Sequence, residues 1–251
     1  MEEFAKYILN EDDLVSKIEI IYFLAPKLGI KFDKTTIFKT EITRIFLKYT
    51  KVKVDNNLVL TAVLLCNCKK VDDAQKIGKL RTYAKDGAEH LAKLGFDERF
   101  CKICEGVNRY SGLKPREPES DIIELVDNFG GMLIDRPERT AFNPDEAMVL
   151  LEHRNLKNEY NRYLEIFKSF VQAMEKVEIH CAVNTTVFAR LQKLMRESKT
   201  VTEFAKKIIL EYTPIVDEKL ESLDGVEAQS NNTSRSLFSE ESKEKILKHI
   251  K

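Results

Sequence analysis

Asp127 stands in the apolar run Ile122-Ile123-Glu124-Leu125-Val126-Asp127-Asn128-Phe129, which leads through Gly130-Gly131 to Asp135-Arg136-Pro137-Glu138-Arg139. An acid on an apolar helical face needs a partner once buried, because stranding its charge is costly. Lys70 and Arg139 are the candidate partners in a structural role; metal ligation is the sharper alternative. Lys69, Lys70, Arg136 and Arg139 form a second constellation. They could rim a phosphate pocket, since Arg offers bidentate contacts, or simply be solvated or paired with Asp72, Asp73 and Glu138. Sulfur offers a third chemistry. Cys66, Cys101, Cys104 and Asp127 make a donor set that zinc accepts. Against it, Cys66 and Cys68 point to opposite sides of a helix, and buried Cys is an ordinary small core residue. The histidines, at 90, 153, 180 and 249, are scattered. No Gly-rich phosphate loop follows a strand, no Ser/His/Asp order stands out, and no basic-aromatic array suggests RNA or DNA.

These residues must be positioned by helices. Leu14, Ile18, Ile21, Tyr22 and Ala25 predict a helix over 12–29, shortened or kinked by Pro26 and stopped at Gly29. A second is expected over 35–50, with Phe38, Ile42, Ile45, Phe46 and Tyr49 on one side. The third, 57–70, is apolar nearly all round and reads as the central buried helix. Val71-Asp72-Asp73 breaks the pattern, another helix runs to Gly95, and Asp97 caps the next. After the turn Ser111–Pro115, helices are expected over 118–134, ending near the Gly pair, and 144–153, the latter opened by Asn143 and Pro144. Residues 158–178, 184–197 and 201–220 complete the set. No strand ladder is apparent, so the fold class is all-α. Leu223–Ser236 reads as a flexible linker, and 239–251, acids first and bases last, as a short terminal helix.

Composition narrows the function. The 251 residues are 43% hydrophobic and 33% charged, enough for a substantial core. Acids and bases balance at 41 each, so no global field favours nucleic acid or an anionic membrane. The N-terminus has no signal-peptide pattern, no stretch is long and apolar enough to span a bilayer, and the five cysteines suit reduced cytosolic thiols. A cytoplasmic protein is expected.

Over roughly residues 38–170 the chain resembles the HD-GYP family, helical metal-dependent phosphodiesterases that cleave cyclic di-GMP. Asp127 matches the family's last ligand, and Asp135-Arg136-Pro137 with Arg139 matches its Asp-Arg-Pro-x-Arg turn. The family's Leu-Leu-His-Asp-Ile-Gly-Lys string appears as Leu64-Leu65-Cys66-Asn67-Cys68-Lys69-Lys70, where only Lys70 survives; in the family that Lys can touch a substrate phosphate. Tyr83 stands for the His of a His-x-x-x-Gly unit ending at Gly87, Gly106-Val107 stand for a His-His pair, and Phe38 stands on or near a further His. Gly112 and Pro115 keep the family's turn. The resemblance thus implies a degenerate former metal site at Phe38, Cys66, Asn67, Tyr83, Gly106, Val107 and Asp127, without cofactor or catalytic residues. It also implies possible phosphate contacts from Lys70, Arg136 and Arg139. The domain reading is an HD-GYP-like domain over 1–175, a helical extension packed on it over 176–221, and linker and terminal helix over 222–251. The expected function is that of an inactive bacterial signalling or interaction module. The extension is the preferred protein-contact or self-association surface, because Phe38 and Tyr83 add apolar bulk to the old cleft. A rebuilt metal-dependent phosphohydrolase and a cyclic-dinucleotide receptor without cleavage are the alternatives.

Overall fold

Aspartate and asparagine caps fix where many of the helices begin. In the computed structural model, which describes residues 2–70, 77–155, 160–180 and 184–227, α1 spans Glu2–Asn10, α2 Leu14–Leu28, α3 Lys34–Thr50, α4 Asn56–Leu65, α5 Ile77–Lys93 and α6 Glu98–Gly106. Then come α7 Pro118–Met132, α8 Pro144–Leu150, α9 Leu164–Met174, α10 Val187–Glu197, α11 Val201–Lys207 and α12 Thr213–Glu227. Asp13, Asp33, Asp55 and Asp97 accept from first-turn amides of α2, α3, α4 and α6. Asn143 and Glu146 form a reciprocal capping box on α8.

The chain is an all-α multi-helix bundle. α3, α4 and α7 pack on one another at its centre. Phe46, Phe129, Phe167, Phe170 and Phe188 join α3, α7, α9 and α10, with ring centroids 5.3–5.9 Å apart. Such pairs each add about 0.5–1.5 kcal/mol beyond area burial. Among the described residues no helix is long and apolar enough to cross a membrane.

Several sequence expectations are corrected. The chain has a short ladder, Glu178–His180 (β1) antiparallel to Asn184–Thr186 (β2), where 158–178 and 184–197 were read as continuous helices. α1 is an additional helix, and α2 runs through Pro26 to Gly29, whose positive φ of 62° closes it. α12 continues to Glu227, over the start of the expected linker; the remainder of that linker and the 239–251 helix lie outside the described residues. Between α11 and α12 the helix widens to a π turn over Ile208–Tyr212. Pro214 comes two residues after it; proline has no N–H to donate and crowds the carbonyl four residues back.

Residues 176–221 are tied to the rest by directional contacts. Gln192 donates to the Leu133 carbonyl at 2.9 Å, Lys34 to that of Ser198 at 2.6 Å, and Arg44 pairs with Asp217 at 2.8 Å. The apolar stripes Val187-Leu191-Leu194 and Phe204-Ile208-Tyr212 are buried inside the bundle. They are consumed in folding.

On α7, a second buried network fixes the loops around the bundle's end. Glu124 accepts from Arg109 at 2.6 Å and Arg116 at 3.0 Å, and from Asn161 at 3.0 Å. Asp121 accepts from Arg116 at 2.9 Å and Arg162 at 2.7 Å. Segments 108–117 and 160–163 are thereby pinned to one helix.

Candidate functional site

Asp127 lies at the meeting point of the three central elements. α7 presents its carboxylate, α3 brings Lys39 from the opposite side, and the turn after α4 brings Asn67 and Lys70. Lys39 Nζ stands 2.6 Å from Oδ1 and Lys70 Nζ 3.0 Å from Oδ2, while Asn67 Nδ2 donates to Oδ1 at 2.6 Å. Asp127 is 8% exposed and Lys39 6%. Burial alone would push the carboxyl pKa up; Lys39 and Lys70 override it and hold the group ionised, far below the usual carboxylate range. Burial, reinforced by Lys70, lowers the Lys39 ammonium. Lys70 also rests over the Tyr83 ring, 4.8 Å from its centroid.

The glycine pair makes this clamp possible. Gly130 and Gly131 lie in the last turn of α7, which ends at Met132, next to the expected stop. A Cβ on Gly130 would fall 2.9 Å from Lys39 Cγ, so the bare helix surface is the channel through which the lysine stem reaches Asp127.

A cleft of about 360 Å³ opens on the clamp, lined by Lys70, Asp127, Met132, Arg136, Arg139 and Phe142 among others. Two ammonium groups against one carboxylate leave a positive excess, and Arg136 and Arg139 enlarge it. Their parts differ. Arg139 donates to the carbonyls of Gly131 (2.7 Å), Met132 (3.1 Å), Ile134 (3.3 Å) and Thr140 (3.0 Å) and lies over the Phe142 ring at 4.9 Å. It therefore serves as the C-terminal cap of α7. Arg136 is exposed, and its guanidinium makes one long bond, 3.4 Å, to the Gly131 carbonyl. Arg136 also lines the cleft.

The other candidates fall in different places. Phe38 is fully buried in the apolar core, and its neighbour Lys39, which the sequence reading missed, is the α3 residue that reaches Asp127. Asn67 joins the clamp; its Oδ1 is buried and has no hydrogen-bond partner among the described residues. Cys66 packs under the clamp, and burial with Asp127 nearby pushes its thiol far up, keeping it neutral. Burial likewise raises Cys68 to about 12 and Cys101 to about 11. Val107 is core. Lys69 turns away, donating to the Gly29 carbonyl at 2.8 Å, and His90 contacts the Leu28 carbonyl at 2.7 Å. Asp72 and Asp73 lie outside the described residues.

Gly106 is a packing position. A Cβ there would stand 2.6 Å from Ser120 Oγ and 3.0 Å from Ser120 Cβ, with Ser120 held by the Ile103 carbonyl at 2.8 Å. Gly106→Ala should lower stability by about 1–3 kcal/mol through overpacking, and Ser120→Gly in the same chain should recover part of it. Urea unfolding of the single and double variants checks this; equal loss in both would place the strain elsewhere.

Comparison of the chain with protein-family models, curated proteins and solved structures returned no match. The residues themselves do not fit a metal centre of the kind the resembled family uses. Both Asp127 oxygens are engaged by ammonium and amide donors, and among the described residues no three His, Cys, Asp or Glu side chains gather to hold an ion. The set Cys66, Cys101, Cys104 and Asp127 is accordingly not assembled as a zinc site.

Proposed function

We propose that this chain is a catalytically silent, HD-GYP-like bacterial signalling module, acting in the cytoplasm, whose cleft receives a phosphate-bearing ligand of the cyclic dinucleotide class without cleaving it. The observation that carries the reading is the clamp itself. Lys39 and Lys70 place fixed positive charge where the resembled enzymes bind cations. Ammonium groups attract a phosphate but generate no hydroxide, so the family's hydrolytic step has no nucleophile here. The preference for the cleft over the C-terminal extension follows from the packing. Phe38 adds no bulk to the cleft, and the extension's apolar stripes are buried.

Calorimetric titration with cyclic di-GMP in excess chelator should show micromolar, salt-sensitive binding and no linear product. Arg136→Ala should weaken it by roughly ten- to a hundredfold, the range of a lost charge-assisted hydrogen bond. Asp127→Asn, which leaves the two ammonium groups unneutralised, should retain or tighten binding. Absence of binding by the wild-type chain overturns the receptor reading; binding abolished by chelator, or turnover restored by manganese, overturns the silent one. Protein contact through α10–α12 is the second reading, favoured by Leu210, which stands 73% exposed on that segment.

A further inference from the structure

Asn128 lines the same cleft as Asp127 but takes no part in the clamp. It is half-buried, and its side-chain amide forms no hydrogen bond among the described residues. An amide withdrawn from water without a partner is costly, so a free amide in the wall of a cleft suits a ligand that brings both a donor and an acceptor. One helical turn further along α7, Gly131 and Met132 line the cleft from the same face. Their carbonyls hold the Arg139 guanidinium at 2.7 and 3.1 Å, and the Met132 carbonyl also accepts from the Phe142 backbone amide at 3.0 Å. Phe142 and the guanidinium over its ring are therefore fixed together at the cleft. Nucleobases stack on aromatic rings and arginine planes of this kind. Gly131 leaves the floor beside them bare, and a Cβ there would stand 3.2 Å from the Arg136 guanidinium.

We infer, resting on the reading of the cleft as a cyclic-dinucleotide receptor, that it admits one nucleotide unit of the ligand and selects adenine. The base lies against Arg139 and Phe142, Asn128 pairs with its edge, and Arg136 takes the adjoining phosphate. The cleft, about 360 Å³, is near the lower end of ligand pockets, roughly 300–1,000 Å³, so the second half of the ligand stays outside. Donors and acceptors decide the base. A carboxamide presents one donor and one acceptor side by side, and adenine answers with its exocyclic amino group and N7. The O6 and N7 of guanine both accept, and they suit an arginine fork instead. The rigid arginine of this cleft, Arg139, has its donors engaged by four carbonyls.

Calorimetric titration of the full chain with cyclic di-AMP and with cyclic di-GMP, both in excess chelator, tests the assignment. Cyclic di-AMP should bind about tenfold more tightly, toward the lower end of what one bidentate base contact discriminates. Asn128→Leu should erase that ratio by weakening cyclic di-AMP alone. Its urea midpoint should not fall below the wild-type value, because the amide holds no other described residue. Arg136→Ala should weaken both ligands alike and keep the ratio. Equal affinities in the wild type overturn the adenine assignment and leave the receptor reading standing. Tighter binding of cyclic di-GMP does the same, and its loss in Asn128→Leu would give the amide to the N1–O6 edge of guanine. A preference for cyclic di-AMP that survives Asn128→Leu removes the amide from recognition and overturns the subsite. Binding of neither ligand overturns the receptor reading and the base assignment together.

Discussion

Asp127→Leu should be among the most damaging single changes in this chain, lowering stability by about 3–5 kcal/mol, the cost of breaking a buried ion pair by removing one partner. Lys39 Nζ and Lys70 Nζ lie 2.6 and 3.0 Å from the carboxylate, and the substitution would strand the buried Lys39 ammonium without its acceptor and leave Lys70 to the cleft and the Tyr83 ring. Asp127→Asn should cost less, because the amide keeps the shape and one acceptor. The same clamp sets an acid response. Asp127 has a folded-state pKa held below its unfolded value, so its stabilisation is fully present above about pH 4 and is lost as pH falls toward the folded-state pKa. Wild type should therefore lose stability on acidification more steeply than Asp127→Asn. Urea midpoints at pH 7 and pH 3 measure both effects; equal midpoints for wild type and Asp127→Leu at pH 7 would show that the clamp contributes nothing.

Glu124→Leu should have an effect of similar size, about 3–5 kcal/mol, for the same reason. Its carboxylate is the shared acceptor of Arg109 and Arg116, whose side chains are 6% and 12% exposed. Arg116 retains Asp121 at 2.9 Å, whereas the Arg109 guanidinium loses its bidentate carboxylate and keeps the Tyr160 carbonyl at 3.2 Å. Combining Glu124→Leu with Arg109→Leu should recover much of the loss, because an apolar pair of similar volume is often tolerated where a lone buried charge is not. Chemical unfolding of the two single variants and the double variant gives the coupling directly. Additive losses would mean that the pair acts independently. Local hydrogen exchange should also rise in 108–117 and 160–163, the segments that the network pins.

How much of this was legible in the sequence depends on range. Caps could be read because their signal spans a few residues: Asp97 and Asn143 act where their spacing placed them. Asp127 was conspicuous as an acid on an apolar face, and Lys70 was a nameable partner. Lys39 was missed because a lysine beside Phe38 reads by default as surface. A usable signal existed, since Lys39, Ile42 and Phe46 share one helical face at i, i+3 and i+7. The glycine pair was read as a helix stop because its use, close passage of the Lys39 stem, depends on a helix far away in sequence. Arg139 looked like a phosphate ligand by type, yet its donors go to the carbonyls at the end of α7. The β1–β2 ladder of three-residue strands carries too few residues for a period-2 pattern to emerge. The Arg–Glu network joins residues up to 51 positions apart, a pairing that composition cannot specify.

The central claim is that ammonium groups, not metal ions, complement Asp127. Elemental mass spectrometry of the full chain, purified after growth in medium supplemented with iron, manganese and nickel, tests it most directly. The clamp requires far less than one such ion per chain, and a content that Asp127→Asn leaves unchanged. Two ions per chain in the wild type, lost in Asp127→Asn, would contradict it.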